Sequence, residues 1–543
     1  MANGLPSLPD IPAEQRTPLV EALLGVIRAQ QDRIRELEET VQQLRDEIAI
    51  LKGQKPRPTI AASRLEQPEH RSPLGEGQKR PGSKKRSKNA QLRVTREVSI
   101  PFPDPPSWSV SKGYEEYIVQ DLVIRAEVTR YLRERIVMPD GHTSLAPLPP
   151  EVLPGMHFGP GLICYVLYQY HHNHVTQPLL QEELQQRGID ISAGQINHIL
   201  TEDQEIFHEE KAEILPAGLA SSAYIGVDDT GARHQGRNGF CTQVGNEFFA
   251  YFASTGSKSR LNFLEVLRGQ HTDYVIDEVA VTYWQKYELS AALIASLTAG
   301  PAHFDDAVAW HARLQELGIA AARPVRIATE GALLGSLIAH GVSPQLVVLS
   351  DGAGQFTILV HAACWVHAER PLARMIPHNE DHRSAIEQVR QQIWELYQDL
   401  KAYQKQPQPE QVPLLTARFE VLCTQRTGYP SINKVLSEMR EHQADLLRVL
   451  ERPKVPLHNN ASESDIRDYV KKRKISGSTR SDEGRRCRDT FASLKKTCRK
   501  LGIHFWEYLQ DRVRGLGNVP RLAELIRQRT AEPTAGKAAA VPT

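Results

Sequence analysis

The sequence predicts a multi-domain α+β protein: an N-terminal coiled coil, a mainly helical region, and an α/β domain carrying a helical insertion. Three observations predict it. Residues 19–52 repeat every seven positions. The apolar runs in "YIGVDDTG" and "LVVLSDG" end in aspartate and glycine and read as strands. Long stretches with helical periodicity lie between and after them. With 543 residues, 40% hydrophobic and 24% charged, the chain has room for several structural units and a sizeable core. Its formal net charge of +1 discriminates among no partners, so the distribution of charge matters more.

No apolar run reaches the roughly 18 residues of a membrane span. The N-terminus lacks a charged-then-apolar signal pattern, so a cytoplasmic protein is expected. The six cysteines, at 164, 241, 364, 423, 487 and 498, form no CxxC pair. That fits free thiols in a reducing compartment, and no zinc site is evident.

In the heptads, position a reads Val20, Ile27, Ile34, Val41 and Ile48, and position d reads Leu23, Gln30, Leu37, Leu44 and Leu51. β-Branched residues at a with leucine at d favour a parallel two-stranded coiled coil, hence a homodimer or higher homo-oligomer. Arg33 at g would face Glu38 at e, and Glu47 would face Lys52. The alternative is an amphipathic helix packed on its own chain.

Residues 53–96 are rich in Pro, Gly, Ser and basic residues and read as a disordered linker. Positions 52–96 hold 13 Lys and Arg against 3 Glu, net +10, including Lys84, Lys85 and Arg86. Such an arm suits nucleic-acid phosphates, or serves only as a solubilising linker.

A small α/β then helical region is expected over 97–215, with one helix at 121–135. Within it "QPLLQEELQQRGIDISAGQINHIL" gives a helix, a turn at Gly188 and a second helix capped by Ser192. This reads equally as a helix-turn-helix, with Gln195, Asn197 and His198 as base readers, or as a plain helical hairpin. His171, His172 and His174 are too closely spaced to share one helical face as metal ligands.

The α/β domain is expected over 216–515. "GFCTQVGNEFFAYFAST" reads as a hairpin turning at Gly245-Asn246, followed by a helix. Residues 278–340 form the helical insertion, 383–405 and 411–450 long helices, and 460–512 a helical stretch broken at "ISGSTRSDEG". A C-terminal helix and tail occupy 516–543.

Asp228 and Asp351 each follow an apolar strand, at the strand ends where open α/β sheets build sites. Two carboxylates brought together repel unless a cation lies between them, and Mg²⁺ favours such oxygen ligands. A third carboxylate is sought in "LHNNASESDIRDYVKKRKISGSTRS", where Glu463 and Asp465 compete. Asp305 and Asp306 are rival second carboxylates in a helical context. Each also has a purely structural reading: turn residues for Asp228, Asp229 and Asp351, and a capping box from Asn460 to Glu463. From Arg467 to Lys500 there are 13 Lys and Arg against 4 Asp and Glu, net +9, a second basic segment suited to phosphates.

In order, "DDTG", "LSDG", "CWVHAER", "HNNASES" and "RKISGSTRSDEG…LKKTCRKLG" resemble the catalytic domain of DDE transposases of the insertion sequence 66 family, over about residues 155–510. The resemblance implies a ribonuclease H-like fold for the α/β domain. It implies a transposase cutting and joining DNA at an Asp-Asp-Glu triad of Asp228, Asp351 and Glu463, which would also bind two Mg²⁺ or Mn²⁺ ions. Asp229 stands where the family usually has Glu. Asp229, His367, Asn459, Asn460 and Arg467 become supporting or DNA-orienting residues. His367 beside Cys364 and Trp365 reads equally as a packed histidine. Lys471, Lys472, Arg473, Lys474 and Arg480 become phosphate contacts. Implied partners are double-stranded DNA at element ends and target, a second copy of the chain, and accessory proteins of the same element. The protein would associate with the nucleoid when bound to DNA. The spacing from Asp228 to Asp351 and the cysteine-free 53–155 mark a divergent branch. A silent DNA-binding relative and a nuclease without strand transfer are the rival readings.

Overall fold

The computed structural model of the chain describes residues 92–149, 152 and 157–531, together with Thr17, Val20, Ile27 and Gln30. The remaining heptad positions of the expected coiled coil, and the linker with Lys84, Lys85 and Arg86, lie outside the described residues. Residues 1–122 and 123–543 form two separate units. In the first, residues 92–122 hold no helix or strand.

The second unit begins with a small antiparallel pair, β1 (Arg135–Val137) and β2 (Thr143–Leu145). The helix expected over 121–135 is absent. Leu122, Val128 and Leu132 are exposed rather than packed, and Val123, Ile124, Val128 and Thr129 are β-branched. A short helix draws most of its stability from a buried face, so this segment has little to hold it helical.

Four helices follow: α1 (Pro160–His171), α2 (Gln177–Gln186), α3 (Ala193–Thr201) and α4 (Glu205–Ser221). Gly188, at φ +82°, turns the chain between α2 and α3. Ser192 caps α3 in a reciprocal box with Gln195. The three side chains considered as base readers are all engaged locally. Gln195 accepts from the Ser192 backbone at 2.8 Å, Asn197 accepts from Gln177 at 3.3 Å, and His198 bonds Glu202 at 2.7 Å.

The chain then enters a sheet with β3 (Tyr224–Gly231), β4 (Phe240–Gly245) and β5 (Ala250–Thr255); the last two form the expected hairpin, but Gly245 pairs with Ala250 and the turn runs over 246–249. After α5 (Arg260–Arg268) comes the insertion, with helices α6 (Glu278–Lys286), α7 (Ala291–Thr298), α8 (Ala307–Glu316) and α9 (Ala322–Ala339). Two strands of two residues each, β6 (Tyr274–Val275) and β7 (His303–Phe304), pair across it. Sequence periodicity does not register strands this short.

β8 (Val347–Ser350) and β9 (Val360–Ala363) complete a mixed five-stranded sheet of order β5-β4-β3-β8-β9. β8 is parallel to β3 and to β9, whereas β4 is antiparallel to β3. A helical array follows: α10 (Trp365–Ala373), α11 (Glu380–Lys405), α12 (Gln411–Thr424) and α13 (Pro430–Glu441). The helix expected over 411–450 breaks before Pro430, which cannot donate to a preceding turn. α14 (Asn460–Ser476), α15 (Asp482–Lys500), α16 (Phe505–Arg514) and α17 (Leu522–Ala531) close the unit.

One hydrophobic core joins α1–α4, one sheet face, the insertion and α15–α17. The core therefore continues across residue 215, where a domain boundary was expected. A second core lies among α10–α13 around Trp365 and Phe419. No described helix is long and apolar enough to cross a membrane.

A buried carboxylate ties the two ends of the main core together. Glu210 on α4 accepts from Arg512 at 2.6 and 2.9 Å, from the Tyr508 hydroxyl at 2.8 Å and from the Leu522 amide at 3.0 Å. Glu210→Ala leaves the Arg512 guanidinium buried without this partner, a loss of about 3–5 kcal/mol. Urea unfolding of wild type and variant would measure it.

Candidate active site

β3 continues through both aspartates rather than ending before them, because β4 pairs with it as far as Gly231↔Phe240. Its pairing with β8 covers only Tyr224 to Gly226. Asp228 and Asp229 thus lie just beyond the point where β8 stops, beside the loop that carries Asp351. Alternation along the strand sends the two side chains to opposite faces. The Asp229 carboxylate forms an ion pair with Lys258 and accepts from Gln355 at 2.9 Å. It is a paired strand residue, not a turn former.

Asp351 directly follows β8. Its Oδ1 accepts from the Ala353 amide at 3.0 Å, and Gly352 adopts φ +92°. The base of this loop is held from within. Ser350 Oγ lies 2.9 Å from His361 Nε2 and accepts from the Gly352 amide at 3.1 Å. His361 Nδ1 is 2.9 Å from Asp445.

Glu463 lies in the first turn of α14. The capping box considered from the sequence does not form: Asn459 is the N-cap residue and makes no side-chain cap bond. Instead its Nδ2 donates to the Val227 carbonyl at 2.7 Å, and its amide donates to Cys364 Sγ at 3.3 Å. These bonds fasten the helix start to β3 and to the start of α10. Gly226 makes the approach possible, since a Cβ there would stand 2.6 Å from Asn459 Oδ1 and Ser462 Oγ. Glu463 Oε1 is buried without a hydrogen-bond partner. Near it stand the His367 imidazole, with Nε2 at 3.6 Å, and the Arg370 guanidinium at 3.8 Å. His367 Nδ1 is likewise buried and unpartnered.

The electrostatics show these carboxylates acting on one another. Burial pushes the Asp228 carboxyl up to about 6, and repulsion from Asp351, Asp229 and Glu463 adds to it, against a lowering bond from the Asp229 amide. Burial and Arg370 hold His367 below the usual histidine range, against the attraction of Glu463 and Asp351. Burial raises the Cys364 thiol, so the sulfur is a packed acceptor rather than a reactive thiolate.

The rival carboxylates and the clustered histidines are engaged elsewhere, and two expected phosphate contacts, Lys472 and Arg473, are corrected. Asp465 is buried and bound to Lys500 at 2.8 Å, which removes it as the rival to Glu463. Asp306 caps α8 and Asp305 is exposed beside His303. His171 stacks on Phe491 and His172 on Tyr168, while His174 bonds Asp468. Lys472 does not face solvent. It is buried, with Nζ donating to the Tyr170 carbonyl at 2.8 Å and lying over the Tyr170 ring, and burial pulls its pKa down to about 7. Arg473 is occupied by Thr230 and the Gly231 carbonyl. Lys495 pairs with Asp468 at 2.7 Å. Much of the basic charge after Glu463 is thus neutralised inside the fold, because α14 and α15 turn cations toward buried aspartates. Asn460, Arg467, Lys471, Lys474 and Arg480 are exposed.

Arg370, Lys258 and Gln355 were missed. Arg370 stands three residues after His367 in "CWVHAER", so helical spacing alone puts both on one face. Nothing local in the sequence marks the other two.

Fold and site together define a mixed α+β protein that gathers acidic residues from β3, the β8 loop and α14 at one end of its sheet. Residues 345–486 match the family described as "Transposase IS66 family". The chain is also 44% identical over 303 residues, 55% of its length and 94% of the relative's, to an uncharacterized protein, y4jO, of Sinorhizobium fredii (strain NBRC 101917 / NGR234). The chain belongs to the insertion sequence 66 transposase family, in a divergent branch.

A carboxyl raised by folding destabilises the folded state once it ionises. For Asp228 that penalty is absent below about pH 3, sets in as pH passes the unfolded value of 3.8, and is nearly complete above about pH 6. Asp228→Asn in metal-free buffer is therefore expected to be more stable than wild type by about 2 kcal/mol at pH 8, after allowance for solvent screening, and equal to it near pH 3. Denaturant melts at the two pH values check this.

Proposed function

We propose that the chain is a DNA transposase with a ribonuclease H-like catalytic domain, whose triad is Asp228, Asp351 and Glu463. The observation that carries this reading is the placement of Asp351 and Glu463 close enough to Asp228 to add to the raising of its carboxyl by burial, beside a buried Glu463 oxygen without a hydrogen-bond donor. Oxygen donors with unmet charge fit a hard divalent cation, Mg²⁺ or Mn²⁺, and the triad residues would hold it. Bound there, two such ions would supply Lewis-acid activation of the attacking and leaving oxygens of a phosphodiester.

The chain's own side chains have defined parts in this reading. Asn459 holds the start of α14 against β3 and so sets where Glu463 stands. Arg370 reaches one edge of Glu463 and offers a guanidinium to a scissile phosphate. His367, neutral at physiological pH, can accept a proton or orient a water. Lys258 neutralises Asp229 and spares the centre a fourth negative charge. The exposed Arg467, Lys471, Lys474 and Arg480 would contact DNA phosphates, with N-terminal self-association bringing two DNA ends together.

Labelled DNA carrying the flanks of the gene, incubated with the full chain with and without Mg²⁺, tests the proposal. Metal-dependent cutting and joining is expected from wild type, and none from Asp351→Asn or Glu463→Gln. Cutting that survives both substitutions would overturn the triad. Cutting without joining would point to a nuclease, and binding without cutting in every lane to a silent binder.

Surface placement also sets the salt dependence. Replacing both Lys471 and Lys474 with alanine should lower the slope of log affinity against log salt by about 2, one unit per lost phosphate contact. Lys472→Ala should leave that slope unchanged. A fluorescence anisotropy titration at several salt concentrations separates the two.

A further inference from the structure

The insertion carries a second cluster of ligating side chains, with no residue in common with the carboxylate triad. His271 and Asp273 lie in the link from α5 to β6, His303 lies in β7, and His340 caps the end of α9. His271, Asp273 and His340 each offer a ligand atom, and all three atoms lie within 4.8 Å of one another. Among the described residues this is the only such group of three or more. Asp273 is buried at its centre. It accepts from Ser336 Oγ at 2.9 Å, and His340 Nε2 stands 2.9 and 3.0 Å from its two oxygens. His303 Nε2 approaches the same carboxylate at 3.4 Å. The His271 and His340 rings stack with centroids 3.4 Å apart.

A single hydrogen bond to His340 would account for a buried aspartate. It does not account for three imidazoles from three chain segments converging on one carboxylate. We infer that His271, Asp273 and His340, with His303 as fourth donor, form a transition-metal site suited to Zn²⁺.

The donor chemistry selects the ion. Two imidazole nitrogens and one carboxylate oxygen, with His303 near enough to the same carboxylate to complete a four-coordinate set, suit Zn²⁺ and are a poor match for Mg²⁺, which prefers oxygen throughout. The surrounding shell is in place: Ser336 orients the Asp273 carboxylate, and Arg268 donates to the Asp273 carbonyl at 2.8 Å. Loading requires the stacked rings to open about their side-chain torsions, which the exposed edges of His271 and His340 allow. A bound ion would tie β7 to the edge of the core that α5 and α9 share, where β7 is otherwise paired over only two residues. The site is structural, a clip on the insertion, and independent of the proposed chemistry.

The test uses the full chain, stripped with chelator, incubated with one equivalent of Zn²⁺ in excess Mg²⁺ and desalted. Metal is counted by mass spectrometry and stability by thermal melting. Wild type should retain about one zinc per chain and melt several degrees higher with zinc than without. Asp351→Asn with Glu463→Gln should do the same, separating this site from the triad. His271→Ala and His340→Ala should lose both the retained zinc and the thermal increment. His271→Ala leaves the bonds of Asp273 to Ser336 and His340 in place, so its zinc-free melt should match wild type. Retention of zinc by both histidine variants at the wild-type level, or no retention by wild type, would overturn the site.

Discussion

The contact on which the acidic centre depends is the close approach of α14 to β3 at Gly226. A strand residue with any side chain there would push Asn459 and Ser462 away. With glycine, Asn459 reaches the Val227 carbonyl and carries the helix start to the face that Asp228 also occupies. Glu463 follows one turn later. The same asparagine binds Cys364, so α10 is drawn in, and with it His367 and Arg370. One backbone approach therefore sets acidic and basic members of the site from three separate parts of the chain.

That arrangement gathers like charges, which costs stability. Asp228 bears most of it, half-buried and repelled by Asp351, Asp229 and Glu463. The fold limits the cost selectively. Asp229 is satisfied by Lys258 and Gln355, whereas Glu463 keeps one oxygen without a donor. The difference underlies the separate roles proposed for Asp229 and Glu463.

Around this centre the fold is braced by buried polar links rather than by apolar packing alone. The chain from Asp445 through His361 to Ser350 steadies the Asp351 loop from behind. Lys495 and Lys500, paired with Asp468 and Asp465, hold α15 to α14. Removing one member of such a pair strands the other in low dielectric, so these links are costly to break even where their net contribution is small. They also explain why a segment with net charge +9 presents far fewer free cations than its composition implies.

The sequence by itself determined the order of strands and helices around the site, and through its ordered motifs the family. Apolar runs ending in aspartate, the hairpin turn after Gly245 and the Ser192 cap are local signals, because backbone preference and near-neighbour hydrogen bonds decide them. Arg370 was legible in the same way, three residues from His367. Tertiary structure alone decided which charges are free. Lys472 and Asp465 look in sequence like any other polar residues of an exposed helix. Their burial follows from the packing of α14 against α15 and, across hundreds of residues, against α1 and the sheet. The helix read into 121–135 failed for the converse reason, since its apolar periodicity found no surface to cover. The cluster at His271, Asp273, His303 and His340 was invisible for the same cause. Its members are separated by whole elements, and only the folded insertion brings them together.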